Sequence, residues 1–235
     1  MKHLLLPLTL VLALAACNSN SRRSSGPAVT ETKKASTVKA EMLRAEIKMA
    51  AGELSIEGGG KDEVSAEFRY SQGSMIPSFR FDNTSFRARL VIEETHKDTS
   101  NFNMEENRWR VQLADNLATD LSVNMGAGEA RLKLGSLDLR SVSLNIGAGK
   151  VVADFSGEAR HDFEVKIRGG VGDCEVVLPK NVGIRAEARG GIGSLSVEGL
   201  SEKNGSYENA EYATAKVKIR LSIQGGVGSI RIKVA

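Results

Sequence analysis

Residues 121–155 read LSVNMGAGEARLKLGSLDLRSVSLNIGAGKVVADF. Apolar and polar residues alternate up to a GAG, cross it, and alternate again. The phrase returns as IRGGVGDCEVVL at 167–178, ARGGIGSLSVEGL at 188–200 and IQGGVGSIRIKVA at 223–235. A fainter copy, IKMAAGELSI, occupies 47–56. A recurring phrase decides architecture before any single motif does.

The second glycine of each copy is Gly52, Gly128, Gly149, Gly172, Gly193 or Gly228, and the last four spacings are 21, 23, 21 and 35. Side chains alternate faces along a strand, so parity about the glycine separates inside from outside. Even offsets after it carry Ala130, Leu132 and Leu134, then Val151, Ala153 and Phe155, then Cys174, Val176 and Leu178. The last copies give Leu195 and Val197, then Ile230, Ile232 and Val234. Offsets of five and seven before it carry pairs such as Val123 and Leu121, or Ile223 and Leu221. The odd positions are mostly charged or polar, as in Glu129, Arg131 and Lys133. Each unit therefore has one greasy face that it cannot bury alone, and stacking the units solves this. Glycine suits the corner because it takes positive φ and allows close approach. Two readings compete: each phrase is one corner of a parallel β-solenoid, or each GxG is a hairpin turn in an antiparallel sandwich or roll. Near-constant spacing and equal parity favour the solenoid, an all-β fold, with successive copies as successive rungs.

Around this core the chain divides simply. Residues 1–17, MKHLLLPLTLVLALAAC, read as a signal segment, with Lys2 and His3 ahead of an apolar run too short to span a bilayer permanently. Leu14-Ala15-Ala16-Cys17 resembles the lipobox of bacterial lipoproteins. That resemblance implies cleavage before Cys17, thioether lipidation of its sulfur and an acylated new N-terminus. The alternatives are an ordinary secretory signal or a buried first strand. Asn18 is not the aspartate that retains lipoproteins at the inner membrane, which implies the outer membrane in a Gram-negative host. A lipid anchor attaches without spanning. Residues 18–39 are polar and Ser-rich and read as a flexible tether. Arg22 and Arg23 are either solvated or resting on anionic head groups.

Residues 40–235 read as one domain, with an irregular half at 40–120 and regular repeats at 121–235. Segments 63–70 and 87–94 alternate as strands, and 71–85 is a loop or an edge. Trp109, Val111 and Leu113 share a face, so Trp109 is either a cap on the core or a ligand platform. The spacing of 35 marks a polar excursion at 201–216 carrying Tyr207 and Tyr212. It is a candidate recognition loop, or a plain surface excursion.

The chemistry excluded is broad. A net charge of +3 gives no strong field for nucleic acid. With Cys17 taken by the lipobox, Cys174 has no disulfide partner, and its parity places it inside. GGVGDCEVV resembles a calcium-binding nonapeptide, but the ligand aspartate's place holds Cys174, and Leu195 or Ile230 in other copies. The GAG phrases lack the further residues of dinucleotide or P-loop motifs, and no GxSxG is present. His3, His96 and His161 are scattered, so no metal site or cofactor is expected. One outward ladder stands out, four residues before each reference glycine: Lys48, Asn124, Asn145, Arg168, Arg189 and Gln224. Arg168 and Arg189 are its candidate binding residues. Arg168, Asp173 and Glu175 on an outer sheet would be needed for a polysaccharide-active enzyme, the weakest reading.

Strand–GAG–strand copies, the lead-in Trp109-x-Val111-x-Leu113 and the closing GGVGS-I-x-I-x-V resemble the toastrack superfamily. That group includes the C-terminal domain of membrane proteins of the cell-wall-active-antibiotic response, and adhesin-like domains. The resemblance implies a right-handed β-helix-like domain at the cell envelope, non-catalytic, sensing stress or engaging surface proteins. It supplies no site residues. The expected partners are the membrane, through Cys17, and an envelope protein or a glycan. An adhesive glycan-binding element is the alternative. The oligomeric state is left open, since the end of a solenoid is an unpaired edge.

Overall fold

The repeats fold as bent strands that run on through their glycines. The computed structural model describes residues 27–71, 76–84, 86–95 and 107–235. The signal segment, Cys17, Arg22, Arg23 and His96 lie outside the described residues.

In chain order the strands are β1 (Ala28–Ser36), β2 (Met42–Gly60), β3 (Glu63–Ser71), β4 (Ile76–Thr84), β5 (Arg87–Thr95), β6 (Arg108–Ala114), β7 (Ala118–Lys133) and β8 (Asp138–Asp154). There follow β9 (Phe163–Leu178), β10 (Gly183–Arg189), β11 (Ile192–Glu198), β12 (Ser201–Lys203), β13 (Ser206–Glu208), β14 (Lys218–Gln224) and β15 (Val227–Val234). β2, β7, β8 and β9 each bend at the GxG corner and serve two sheet arms. On the first arm the order is β4-β5-β2-β7-β8-β9-β14-β10-β13-β12. On the second it is β1-β3-β6-β2-β7-β8-β9-β15-β11. The rungs pair in parallel, which rules out the hairpin reading of GxG. Antiparallel pairing is confined to the flanks, at β1–β3, β3–β6, β4–β5, β10–β13 and β12–β13.

The core lies between the arms and is built of ladders. Ile47, Val123, Leu144, Ile167 and Ile223 stack in register on the first arm. Ile56, Leu132, Ala153, Val176 and Ile232 do so on the second. All ten are buried. Each buried aliphatic side chain contributes roughly 1.5–3 kcal/mol from its removed surface.

The order of the last two rungs differs from the expected succession. β9 is followed in space by β14 and β15, and the chain-earlier β10 and β11 lie outside them. The chain skips a place, builds the outermost rung, and returns through the 201–216 excursion to fill the gap. Similar ladder residues let any rung stack on any other, so parity alone cannot set this order. One consequence corrects a core assignment. Leu195 has core parity yet is 41% exposed, because no further rung covers it.

Part of the segment expected as a flexible tether, 18–39, is a strand. Residues 28–36 form β1, paired along its whole length with β3. Only Val29 and Ala35 pack on the core, so the segment's polar composition reflects an edge strand wet on one face. Segment 76–84 is likewise an edge strand, with β5 as its one strand partner among the described residues. At the N-terminal end Trp109 is buried edge-on to Phe68, with ring centroids 5.4 Å apart. It caps the core and is not a ligand platform.

Candidate functional site

The outward ladder of the first arm forms a continuous row. Pairing aligns Glu93 with Lys48, Lys48 with Asn124, Asn124 with Asn145, Asn145 with Arg168, Arg168 with Gln224, and Gln224 with Arg189. Neighbours along it are therefore about 4.8 Å apart. Beside the row the chain turns the corner at Ala50, Gly126, Gly147 and Gly170. A Cβ on Gly147 would stand 2.4 Å from the Gly126 carbonyl oxygen, so only glycine fits there. With only glycines and the Ala50 methyl at these positions, a groove of about 720 Å³ opens between the row from Lys48 to Arg168 and the backbone.

Each end of the groove has its own electrostatics. At the β5 end Lys48 pairs with Glu46 at 2.8 Å and reaches Glu93 at 3.9 Å, and Arg80 meets Glu93 at 2.5 Å. The Lys48 hydrogen bond, followed by Arg89, holds the Glu46 carboxyl below its usual range. Glu94 braces the corner, accepting from the Ala50 backbone N–H at 2.6 Å and from Asn107 Nδ2 at 2.7 Å. In the middle, Asn145 Nδ2 donates to Asn124 Oδ1 at 3.0 Å, the start of an amide ladder. Beyond it Arg168 is exposed and makes no ion pair among the described residues. Arg189 stands 4.0 Å from Glu187. The row can thus offer amides, an unneutralised guanidinium and backbone groups to an extended ligand.

The two tyrosines are not part of it. Tyr207, on β13, pairs with Ala186 and packs against the core. Tyr212 lies in the short 3-10 turn Ala210–Ala213, with the Arg185 guanidinium 4.7 Å and the Lys218 ammonium 5.5 Å from its ring centre. Glu208, nearly buried, binds Arg185 at 2.5 Å and Lys203 at 3.6 Å. The excursion is stitched onto β10, and Tyr212 lies about 13 Å along that strand from Arg189. Asp173 and Glu175 lie on the second arm, across the corner from Arg168. Asp173 is held by the Ser229 hydroxyl at 2.5 Å, and Glu175 by Arg231 at 3.7 Å. The three do not converge. Cys174 faces inward beside Val151 and Ile230, and burial pushes its thiol up to about 12. Among the described residues no cluster of His, Cys, Asp or Glu is placed to hold a metal ion, and no helix is long and apolar enough to cross a membrane.

Residues 24–177 match the N-terminal domain of toast_rack, and this stretch is more than half of the chain. The chain belongs to the toast-rack family. Residues 125–232 of this toast-rack chain also match the C-terminal region of LiaF, of the cell wall-active antibiotics response. Its fold superposes with a TM-score of 0.84 on a crystal structure from Clostridium sporogenes ATCC 15579, of a candidate cell adhesion protein. The two share 27% identity, over 89% of this chain and 100% of that one. Two candidate adhesins align more distantly. One is BF0245 of Bacteroides fragilis NCTC 9343, at 11% identity and a TM-score of 0.27 over 87% of this chain and 97% of that one. The other, from Parabacteroides distasonis ATCC 8503, aligns at 12% and 0.26 over 88% and 97%. No curated protein matches the toast-rack chain in sequence.

Sequence reasoning found the row but missed its acidic end at Glu93 and Glu94, and a ridge beside it. In register, the middle residues of the corners run Ala51, Ala127, Ala148, Val171, Val227, Ile192. The change from alanine to branched residues was the available signal.

Proposed function

We propose that this toast rack is a lipid-anchored, non-catalytic component of the bacterial cell envelope that binds an extended polymer or another envelope protein along the row from Lys48 to Arg189. The register of that row carries the reading: polar groups repeat at strand spacing, with an open groove beside them from Lys48 to Arg168, and this suits a chain-like ligand lying across the strands. Arg168 and Arg189 supply charge, and Asn124 and Asn145 supply amides that hydrogen-bond hydroxyls or peptide groups. Envelope placement is supported by the lipobox-like Leu14-Ala15-Ala16-Cys17 and by the match to the antibiotic-response region. In a Gram-negative host Asn18 favours the outer membrane.

The test uses the full chain on lipid vesicles, sedimented with purified peptidoglycan and with neutral and acidic polysaccharides. Arg168→Ala and Asn145→Ala are expected to weaken retention at least about tenfold, the scale of one lost charge-assisted contact. Binding unchanged in both variants would overturn the row as the site. Labelled palmitate should be incorporated by the natural chain and not by Cys17→Ser. An adhesive, glycan-presenting role is the second reading, favoured by the likeness to the clostridial candidate adhesion protein. Capture of a glycan without any envelope protein would select it. Tyr207 and Tyr212 remain candidates only for a second contact on β10, since they lie apart from the row.

A further inference from the structure

The two outer edges of the second arm are built in opposite ways. β1, at one end, carries Glu31, Lys33 and Lys34 and follows Pro27. Charges and proline are how natural sheets protect an edge from pairing. β11, at the other end, bonds only β15 among the described residues, and it reads Ile192-Gly193-Ser194-Leu195-Ser196-Val197-Glu198, with a charge only at its last residue and no proline. The outer positions that are Glu129, Arg131 and Lys133 in β7 are here Ser194, Ser196 and Glu198. Exposed apolar surface gathers at the same place. Ile192 is 74% exposed, Val171 58%, Val227 47% and Leu195 41%. On the first arm β13 pairs with Arg185 and Ala186 of the same rung and Asn209 bonds Ile184, so only Glu187 to Arg189 lack a strand on that side among the described residues.

We propose that β11 pairs antiparallel with β11 of a second copy, closing the open end of both racks. Self-pairing about Leu195 sets Leu195 opposite its own symmetry mate, Val197 opposite Gly193, Ser194 opposite Ser196, and Ile192 opposite Glu198. The register opposes no like charges. Leu195, on the inward face, then meets its counterpart, Val197 lies over Gly193 of the other copy, and one core extends through both. Gly193 places no side chain of its own opposite Val197 of the other copy. Pairing β11 with β1 of a second copy is disfavoured, because it would seat an apolar edge against a charged one and grow an open filament. The chain's own N-terminal residues enter at β1, eight strand spacings or about 38 Å away.

The test is made on the full chain in detergent and on vesicles. Leu195→Cys should give a disulfide-linked dimer under mild oxidation, and Thr32→Cys on β1 should not. The natural chain should have the mass of a dimer by light scattering at high micromolar concentration. Ser194→Lys with Ser196→Lys should weaken association at least tenfold while leaving the circular dichroism and Tm of the fold intact. A monomeric mass at that concentration, or equal cross-linking at both cysteines, would overturn the pairing. Peptidoglycan retention by the Arg168 row is read separately, so either idea can fail alone.

Discussion

The carbonyl oxygen of Gly128 lies 1.8 Å from the place a Cβ on Gly149 would occupy. Gly149 also has φ near +129°, a conformation closed to L side chains. The corner therefore demands glycine twice over, by contact and by backbone. Gly149→Ala should destabilise the fold by about 3 kcal/mol or more, since neither the strand below nor the turn can yield without breaking the ladder. Gly169, by contrast, meets nothing within 4 Å. Gly169→Ala should cost well under about 1 kcal/mol. Denaturant unfolding of both variants checks the contrast, and similar losses would contradict it.

Trp109 gives a second contrast. It is buried against Phe68 on β3, but its indole N–H finds no acceptor among the described residues. Its value is then volume and not hydrogen bonding. Trp109→Ala should cost about 3–5 kcal/mol. Trp109→Phe keeps much of the packing, loses no hydrogen bond, and should cost far less. Urea midpoints rank the two, and an equal loss would show that the N–H matters.

Those two residues illustrate what alternation makes legible. Parity placed Leu132 and Ile232 inside, and both are buried. It could not show which rung neighbours which. Ile230 fits beside Cys174 as well as Leu195 would, so swapping the last two rungs leaves every ladder apolar. β1 escaped notice because an edge strand with one wet face needs only Val29 and Ala35 to dock it. The row from Lys48 to Arg189 was visible as a fixed offset from the glycines. The groove beside Lys48 to Arg168 was not, because it arises where three glycines and one alanine stand at the corner.

Acid should weaken the fold. Asp173 accepts from the hydroxyl and backbone N–H of Ser229, which hold its carboxyl below the usual range. Glu164 is lowered by Lys166 first and then Arg220, and Glu46 by Lys48 first and then Arg89. A carboxylate lowered in the folded state stabilises above its unfolded pKa, and that contribution fades as pH falls through the folded value. All three face solvent, so each effect is small and screened by salt. Stability should be flat near neutrality and decline below about pH 4. In Ser229→Ala, Asp173 should titrate closer to an ordinary aspartate, as NMR would report. An unmoved titration would separate the shift from Ser229.

The Cys174 thiol, pushed up to about 12 by burial, should be inert. In a Cys17→Ser background, disulfide reagents should modify Cys174 at least about a hundredfold more slowly in the folded protein than in guanidinium. A small cavity of about 40 Å³ touches Cys174, Ile167 and Ile230. Cys174→Val restores the valine of the neighbouring rung, Val151, and fills part of that space. It should be neutral or raise stability by up to about 1 kcal/mol. Rapid labelling of the native thiol would mean that the corner opens.

The excursion between β11 and β14 tests what Tyr207 and Tyr212 are for. Nineteen residues, 199–217, join those strands, whereas eight, 155–162, suffice between β8 and β9. Deleting 202–212 leaves eight, so β14 can still reach its inner place. What is lost is cover: Ala186 loses Tyr207, Arg185 loses Glu208 and Tyr212, and the β10 edge stands open. The truncated chain should keep its parallel rungs and its retention by the Arg168 row. It should melt at lower temperature and aggregate more readily, as an uncovered edge does. If polymer binding disappears while circular dichroism and Tm hold, the tyrosines are recognition residues after all, and the row is not the whole site.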